Sequence, residues 1–194
     1  NVWDWDTYWS VYGLLGMMED FSEEMKDKII LHAKGNVLNF FDHQLEDGYI
    51  PMMIEVADWP EPYLNMKHKE GVLMNMHKPF LCGQICLISD YINDYAWVKA
   101  YVQQLKKYFS YYKTAYFNEN AGLYVWCDDI MIGMDNDPAS FGRPKFSTAN
   151  IFLNSFMVHE LQCMDTILEH LDEERGSFRK EADELVGCIQ AECW

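Results

Sequence analysis

Apolar residues recur at three- and four-residue intervals along most of this chain, which is the period of amphipathic helices and not the alternation of strands. Tyr8 to Met18 is apolar with small residues interspersed and reads as a buried helix, with Asp6 placed as its N-cap. Ser22 caps a long helix to about Gln44, whose apolar face runs through Ile29, Ile30, Ala33, Val37, Leu38 and Phe41. Glu46-Asp47-Gly48-Tyr49-Ile50-Pro51 ends it in turn residues. Residues 51–70 read as a Pro-rich loop containing Asp58-Trp59-Pro60-Glu61-Pro62, and connections this long usually carry function. A helix follows from about Phe80 to Ile92. Asp94 caps the next, where Val98, Tyr101, Leu105, Tyr108 and Tyr112 keep a three-four spacing.

The pattern breaks at 118–146. Leu123-Tyr124-Val125-Trp126 reads as a short extended segment, and an acidic, Gly- and Pro-broken loop follows. Ser147 caps a long helix to about Leu171 with Leu153, Met157, Leu161, Met164 and Leu168 on one side. Gly176-Ser177 separates it from a last helix through Phe178, Ala182, Leu185 and Ile189. The expectation is an all-α fold of roughly six helices in antiparallel pairs, either a solenoid or part of a closed helical toroid. The chain shows no fixed-period repeat, which disfavours regular solenoids.

Composition narrows the function more than the fold. A chain of 194 residues with 49% hydrophobic content is long and apolar enough for one well-buried domain, here residues 1–194. A net charge of -16 argues against nucleic acid and against an anionic membrane surface, since both require clustered cations. The aromatic content of 15% suits a core or a groove for a flat-faced ligand such as a sugar ring. The six cysteines form no zinc-type spacing and are expected to be reduced and partly buried. The chain opens on Asn1 without an initiator Met and stops at Cys193-Trp194 straight after an amphipathic stretch, so it reads as a piece of a larger protein whose localisation is open.

Two segments carry candidate chemistry. The loop holds Asp128, Asp129, Asp135 and Asp137, and carboxylates converging in a partly dry cleft cannot all ionise comfortably. One of them would be held protonated as a general acid. An EF-hand is excluded: counting from Asp135, position six is Ser140 and position twelve is Phe146. An irregular structural calcium site stays open. The second segment, Trp3-Asp4-Trp5-Asp6-Thr7-Tyr8-Trp9, combines indole faces for sugar C–H groups with carboxylates for vicinal hydroxyls. It reads equally as an aromatic core segment with a capping Asp.

Gly133-Met134-Asp135-Asn136-Asp137-Pro138 closely resembles the Gly-Met-Asp-Asn-Ser-Pro signature of the family-63 glycoside hydrolases, the relatives of processing α-glucosidase I that include mannosylglycerate hydrolase-like enzymes. Trp5-Asp6-Thr7-Tyr8-Trp9 resembles their Trp-Asp-Ser/Thr-Phe-Phe segment. Gln44-Leu45-Glu46-Asp47-Gly48-Tyr49-Ile50-Pro51 resembles another conserved stretch, and His77-Lys78-Pro79-Phe80 stands where a Gln-Pro-Pro-like segment is expected. The resemblance implies about half of an (α/α)6 barrel and a fragment of an inverting, exo-acting α-glycosidase for α-glucosidic or α-mannosidic bonds. It puts the general acid at Asp135 and the sugar contacts at Trp5, Asp6, Trp126, Asn136 and Arg143, with no metal or other cofactor required. The family's general base falls beyond Trp194, so this chain alone is expected to be inactive and to pair with the rest of the barrel or a second copy. A soluble cytoplasmic or periplasmic bacterial-type enzyme is implied. The departures are Cys127-Asp128-Asp129 ahead of the glycine, where Glu-Ser is usual, and Asp137 in place of Ser. The rival reading is a non-catalytic glycan-binding protein on the same fold. A lyase on a similar toroid is a further one.

Overall fold

The computed structural model describes residues 1–54, 76–134 and 136–193, and it is mostly helical. The stretch read as a Pro-rich loop lies outside the described residues from position 55 onward, as does Asp135. Seven α-helices occur among the described residues: α1 (Asp4–Gly16), α2 (Glu23–Asp42), α3 (Leu81–Ile92), α4 (Val102–Tyr116), α5 (Asp129–Ile132), α6 (Ile151–His170) and α7 (Phe178–Glu192). Two-residue strands form two small antiparallel ladders, β1 (Val2–Trp3) with β2 (Met53–Ile54), and β3 (Phe117–Asn118) with β4 (Leu123–Tyr124).

Of the four expected caps, only Ser22 holds at its helix start; Asp6, Asp94 and Ser147 do not. The Ser22 hydroxyl accepts from the Met25 N–H at the start of α2. The Asp94 carboxylate accepts from the Ala96 N–H in a turn, but the 3-10 segment that follows (Ala96–Tyr101) has Tyr95 at its N-cap and α4 begins only at Val102. Helix α6 is capped by Asn150, whose side chain accepts from the Leu153 N–H; Ser147 instead donates to the Pro144 carbonyl three residues back. Helix α1 begins at Asp4, so Asp6 is an exposed first-turn residue and not its cap. The seventh helix is a single turn inside the acidic loop, which was expected to hold no helix. Asp128 makes that turn possible by accepting from the Ile130 and Met131 N–H groups.

Helix α3 is the centre of the fold. Eight of its twelve residues are buried, because α1, α2 and α6 pack around it; Asp90 and Tyr91 near its C-terminus are exposed. Helix α6 packs on α3 with one side and on α7 with another. The Asn154 amide stitches α6 to β4, accepting from the Tyr124 N–H (2.8 Å) and donating to the Tyr124 carbonyl (3.0 Å). Such an amide satisfies two backbone groups that the core would otherwise strand. The three-four face of α4 delivers Leu105, Tyr108, Tyr112 and Tyr116 to the same core. Helix α1 is the exception to its pattern: Thr7, Tyr8 and Val11 are buried while Trp9, Tyr12 and Leu14 are exposed, so it is half-buried where the sequence reads as wholly buried. No helix among the described residues is long and apolar enough to cross a membrane.

Candidate active site

Backbone pairing brings distant segments to one place. Residues 48–54 are buried, and their peptide groups are used on both sides. On one side β2 pairs with β1, and the Asp4 N–H extends the ladder to the Met52 carbonyl (3.0 Å). On the other, Pro51 bridges to Met76 and the His77 N–H donates to the Ile50 carbonyl (2.9 Å). The turn that aims this segment needs a glycine: Gly48 has φ +101, and a Cβ there would lie 2.2 Å from the Lys107 carbonyl oxygen.

The N-terminus of α1 and the segment before α3 are then locked by charge. Lys78 Nζ stands 2.9 Å from Asp4 Oδ1, with the two side chains 2% and 0% exposed. The same carboxylate accepts from the backbone N–H of Lys78 (2.7 Å) and of Trp5 (2.6 Å). Two α4 hydroxyls hold the opposite side of this backbone: Tyr108 donates to the Lys78 carbonyl (2.8 Å) and Tyr112 to the His77 carbonyl (2.7 Å). Burial pulls the His77 imidazole below the usual histidine range, so it is neutral, with Nδ1 2.6 Å from the Lys78 carbonyl.

The acidic loop docks on this pair through Gly133. That residue has φ +77, and a Cβ would fall 2.7 Å from Lys78 Cε and 3.1 Å from Nζ, so only glycine permits the approach. A cleft of about 410 Å³ results. Trp3, Trp5 and Asp6 line it from the N-terminal segment, Met52 and Lys78 from the two paired segments, and Ile130 and Gly133 from the loop. Trp5 is further braced by Trp9, Phe80 and Phe152, with ring centroids at 5.8, 5.6 and 5.9 Å. An indole wall beside an exposed carboxylate can bind a sugar by stacking and bidentate hydrogen bonding.

Of the residues expected to contact sugar, Trp5 and Asp6 line the cleft. The others do not. Trp126 is 1% exposed and its indole N–H donates to the Asn150 side chain (3.0 Å), which makes it a core side chain in this structure. Asn136 is exposed at φ +59, with its N–H donating to Asp129 (3.3 Å). Arg143 is exposed on a turn closed by its own N–H to the Ser140 carbonyl (3.0 Å). The other loop carboxylates serve the loop itself. Asp128 caps α5 and stands 3.3 Å from Lys145 Nζ; Asp129 accepts from the Ser140 hydroxyl (2.9 Å); Asp137 accepts from the Ala139 N–H (2.9 Å). Among the described residues no group of three His, Cys, Asp or Glu side chains converges to hold a metal ion. All six cysteines are free thiols, four of them buried.

Sequence reasoning missed two groups. Asp4, read from the sequence with Asp6 as a carboxylate for sugar hydroxyls, is instead buried against Lys78, a cation between His77 and Pro79 to which the sequence reading gave no partner. Glu160 falls on the apolar face of α6 between Met157 and Met164. It is fully buried, accepting from the Cys82 (2.7 Å) and Gly83 (2.9 Å) N–H groups at the start of α3. Burial pushes its carboxyl up to about 7, outweighing the backbone donors that pull it down. The native state therefore binds more proton than the unfolded chain between pH ~4.5 and ~7, and the stability from this group is complete below that window and lost as pH rises through it. Comparing wild type with Glu160→Gln isolates it. Urea unfolding at successive pH values should show the wild type losing up to about 1.4 kcal/mol per pH unit relative to the variant. Parallel curves would refute the assignment.

No protein-family model matches this sequence, and no curated protein is significantly similar to it.

Proposed function

We propose that this chain carries the acid-bearing part of an inverting, exo-acting α-glycosidase site for α-glucosidic or α-mannosidic bonds, on helices that form about half of an (α/α)6 toroid. One observation supports the reading above others. Segments resembling the family-63 signature, widely separated in sequence, contribute to a single cleft: Trp5 and Asp6, Met52 just after the Gln44–Pro51 stretch, Lys78, and Gly133 two residues before Asp135.

In this reading Asp135, held protonated, donates to the glycosidic oxygen as the bond to the anomeric carbon breaks. A second carboxylate on the opposite ring face, about 6.5–9.5 Å away, takes a proton from the attacking water, and the resemblance puts it in a later segment. Trp5 and Asp6 hold the sugar. No metal takes part in these steps, and a calcium ion in the acidic loop would be structural.

The test has two arms. The 194-residue chain should bind glucose or mannose with quenching or enhancement of tryptophan fluorescence, and Asp6→Ala or Trp5→Ala should raise Kd about tenfold or more. The protein joining this segment to the second carboxylate should release the β-anomer from an α-glycoside, read by proton NMR in the first minutes. Release of the α-anomer rejects inversion. Binding without turnover favours the glycan-binding alternative.

A further inference from the structure

Lys78 has one partner and unused donors. A lysine ammonium carries three N–H groups. Among the described residues Nζ has one acceptor, Asp4 Oδ1 at 2.9 Å. Asp4 itself is fully engaged: Oδ1 also accepts from the Trp5 N–H, and Oδ2 accepts from the Lys78 N–H. The hydrogen-bonding capacity left in the pair is therefore on the ammonium. A buried cation with unused donors is costly until an acceptor reaches it. Only 2% of the Lys78 side chain is exposed and the residue lines the cleft, so that acceptor arrives through the cleft. Gly133 keeps the route open. Any side chain there would cover the ammonium, since a Cβ alone would stand 3.1 Å from Nζ. The same point lies 3.7 Å from Trp5 Cδ2, so ammonium and indole converge on one spot in the cleft wall.

We infer that Lys78 is a binding residue of this cleft that donates to a hydroxyl oxygen of the sugar and selects an uncharged one. The ring stacks on Trp5, one hydroxyl oxygen accepts from Lys78 Nζ, and another hydroxyl donates to Asp6. Charge sets the class of ligand. Asp4 already neutralises Lys78, and Asp6 leaves the described lining net acidic, so a carboxylated or phosphorylated sugar is repelled. A hydroxyl oxygen offers lone pairs without that charge. Because the donor is ionic, its hydrogen bond is about twice as strong as one between neutral groups. The inference rests on the glycosidase reading in taking a sugar as the ligand. The role of Lys78 within the cleft is a separate claim and can fail alone.

Binding of methyl α-glucoside, methyl α-mannoside and their monodeoxy derivatives to the 194-residue chain, followed by tryptophan fluorescence, tests it. Deleting the hydroxyl that meets Lys78 should raise Kd about ten- to a hundredfold in the wild type, and less than about twofold in Lys78→Met. Deletions elsewhere on the ring should cost the two proteins the same. A merely structural Lys78 would weaken every sugar by one common factor, and that result overturns the inference. The double variant Asp4→Leu/Lys78→Met strands no charge and should give the same deoxy-sugar pattern, so the test survives if Lys78→Met does not fold. Methyl α-glucuronide should bind the wild type at least about threefold more weakly than methyl α-glucoside. Tighter binding of the glucuronide overturns the choice of an uncharged ligand. A wild type that binds none of these sugars overturns the sugar reading and this inference together. A wild type that binds them, with a deoxy series indifferent to Lys78, overturns this inference alone.

Discussion

Replacing Asp4 with Ala should cost about 3–5 kcal/mol of folding stability, the cost of breaking a buried ion pair from one side. Both side chains are essentially inaccessible, so the Lys78 ammonium would be left without its counter-charge in a dry site. The Trp5 and Lys78 N–H donors would lose their acceptor as well. Lys78→Met removes only one partner of a carboxylate that keeps two backbone donors, so it should cost less than Asp4→Ala. The double variant Asp4→Leu/Lys78→Met should lose less than the sum of the singles, because neither charge remains to be stranded. Urea unfolding followed by tryptophan fluorescence measures all three. Additive losses, or an Asp4→Ala cost under about 1 kcal/mol, would show that the pair does not hold the cleft together. Total stabilities of domains this size lie at about 5–15 kcal/mol, so the variant should also lose sugar affinity through loosening of Trp5 and Asp6.

Asp135→Asn should lower hydrolysis of an unactivated α-glycoside by about two to four orders of magnitude in the protein that also holds the second carboxylate, while sugar affinity changes by less than about threefold. The amide keeps the shape of the acid but cannot deliver a proton to the departing oxygen. The alkaline limb of the kcat/KM profile, which reports deprotonation of the acid, should vanish with it. The leaving group supplies the decisive control. A glycosyl fluoride departs without protonation, so the Asp135→Asn enzyme should cleave it at close to the wild-type rate. Equal loss on fluoride and glycoside would assign Asp135 to water activation instead, and unchanged glycoside hydrolysis would remove it from the mechanism.

How much of this was legible in the chain differs from element to element. The three-four spacing of Ile29, Ala33 and Val37 placed α2 correctly because a single buried stripe imposes that period; the spacing of Leu105, Tyr108 and Tyr112 found α4, but Val98 and Tyr101, read into the same helix, stand in the 3-10 segment before it. The start of α6 was misplaced by three residues. Ser147 and Asn150 are equally good caps by type, and the choice fell to Asn150, whose side chain also takes the Trp126 indole N–H across the fold. The one-turn α5 was invisible for a similar reason: four residues carry no period, and the turn exists because Asp128 caps it and Met131 and Ile132 are pulled into the core.

The sequence by itself determined the helical class and the approximate extents of the long helices, since periodicity is a local property of the chain. Only the tertiary structure decided which charges matter. Asp4 and Asp6 are two residues apart on one helix, yet one is sealed beneath Lys78 and the other faces the cleft. Trp5 and Trp126 are the same residue type, yet one lines a cavity and the other is core. Burial is a property of what packs against a side chain from elsewhere, and with it the ionisation and reach of every polar group in the site.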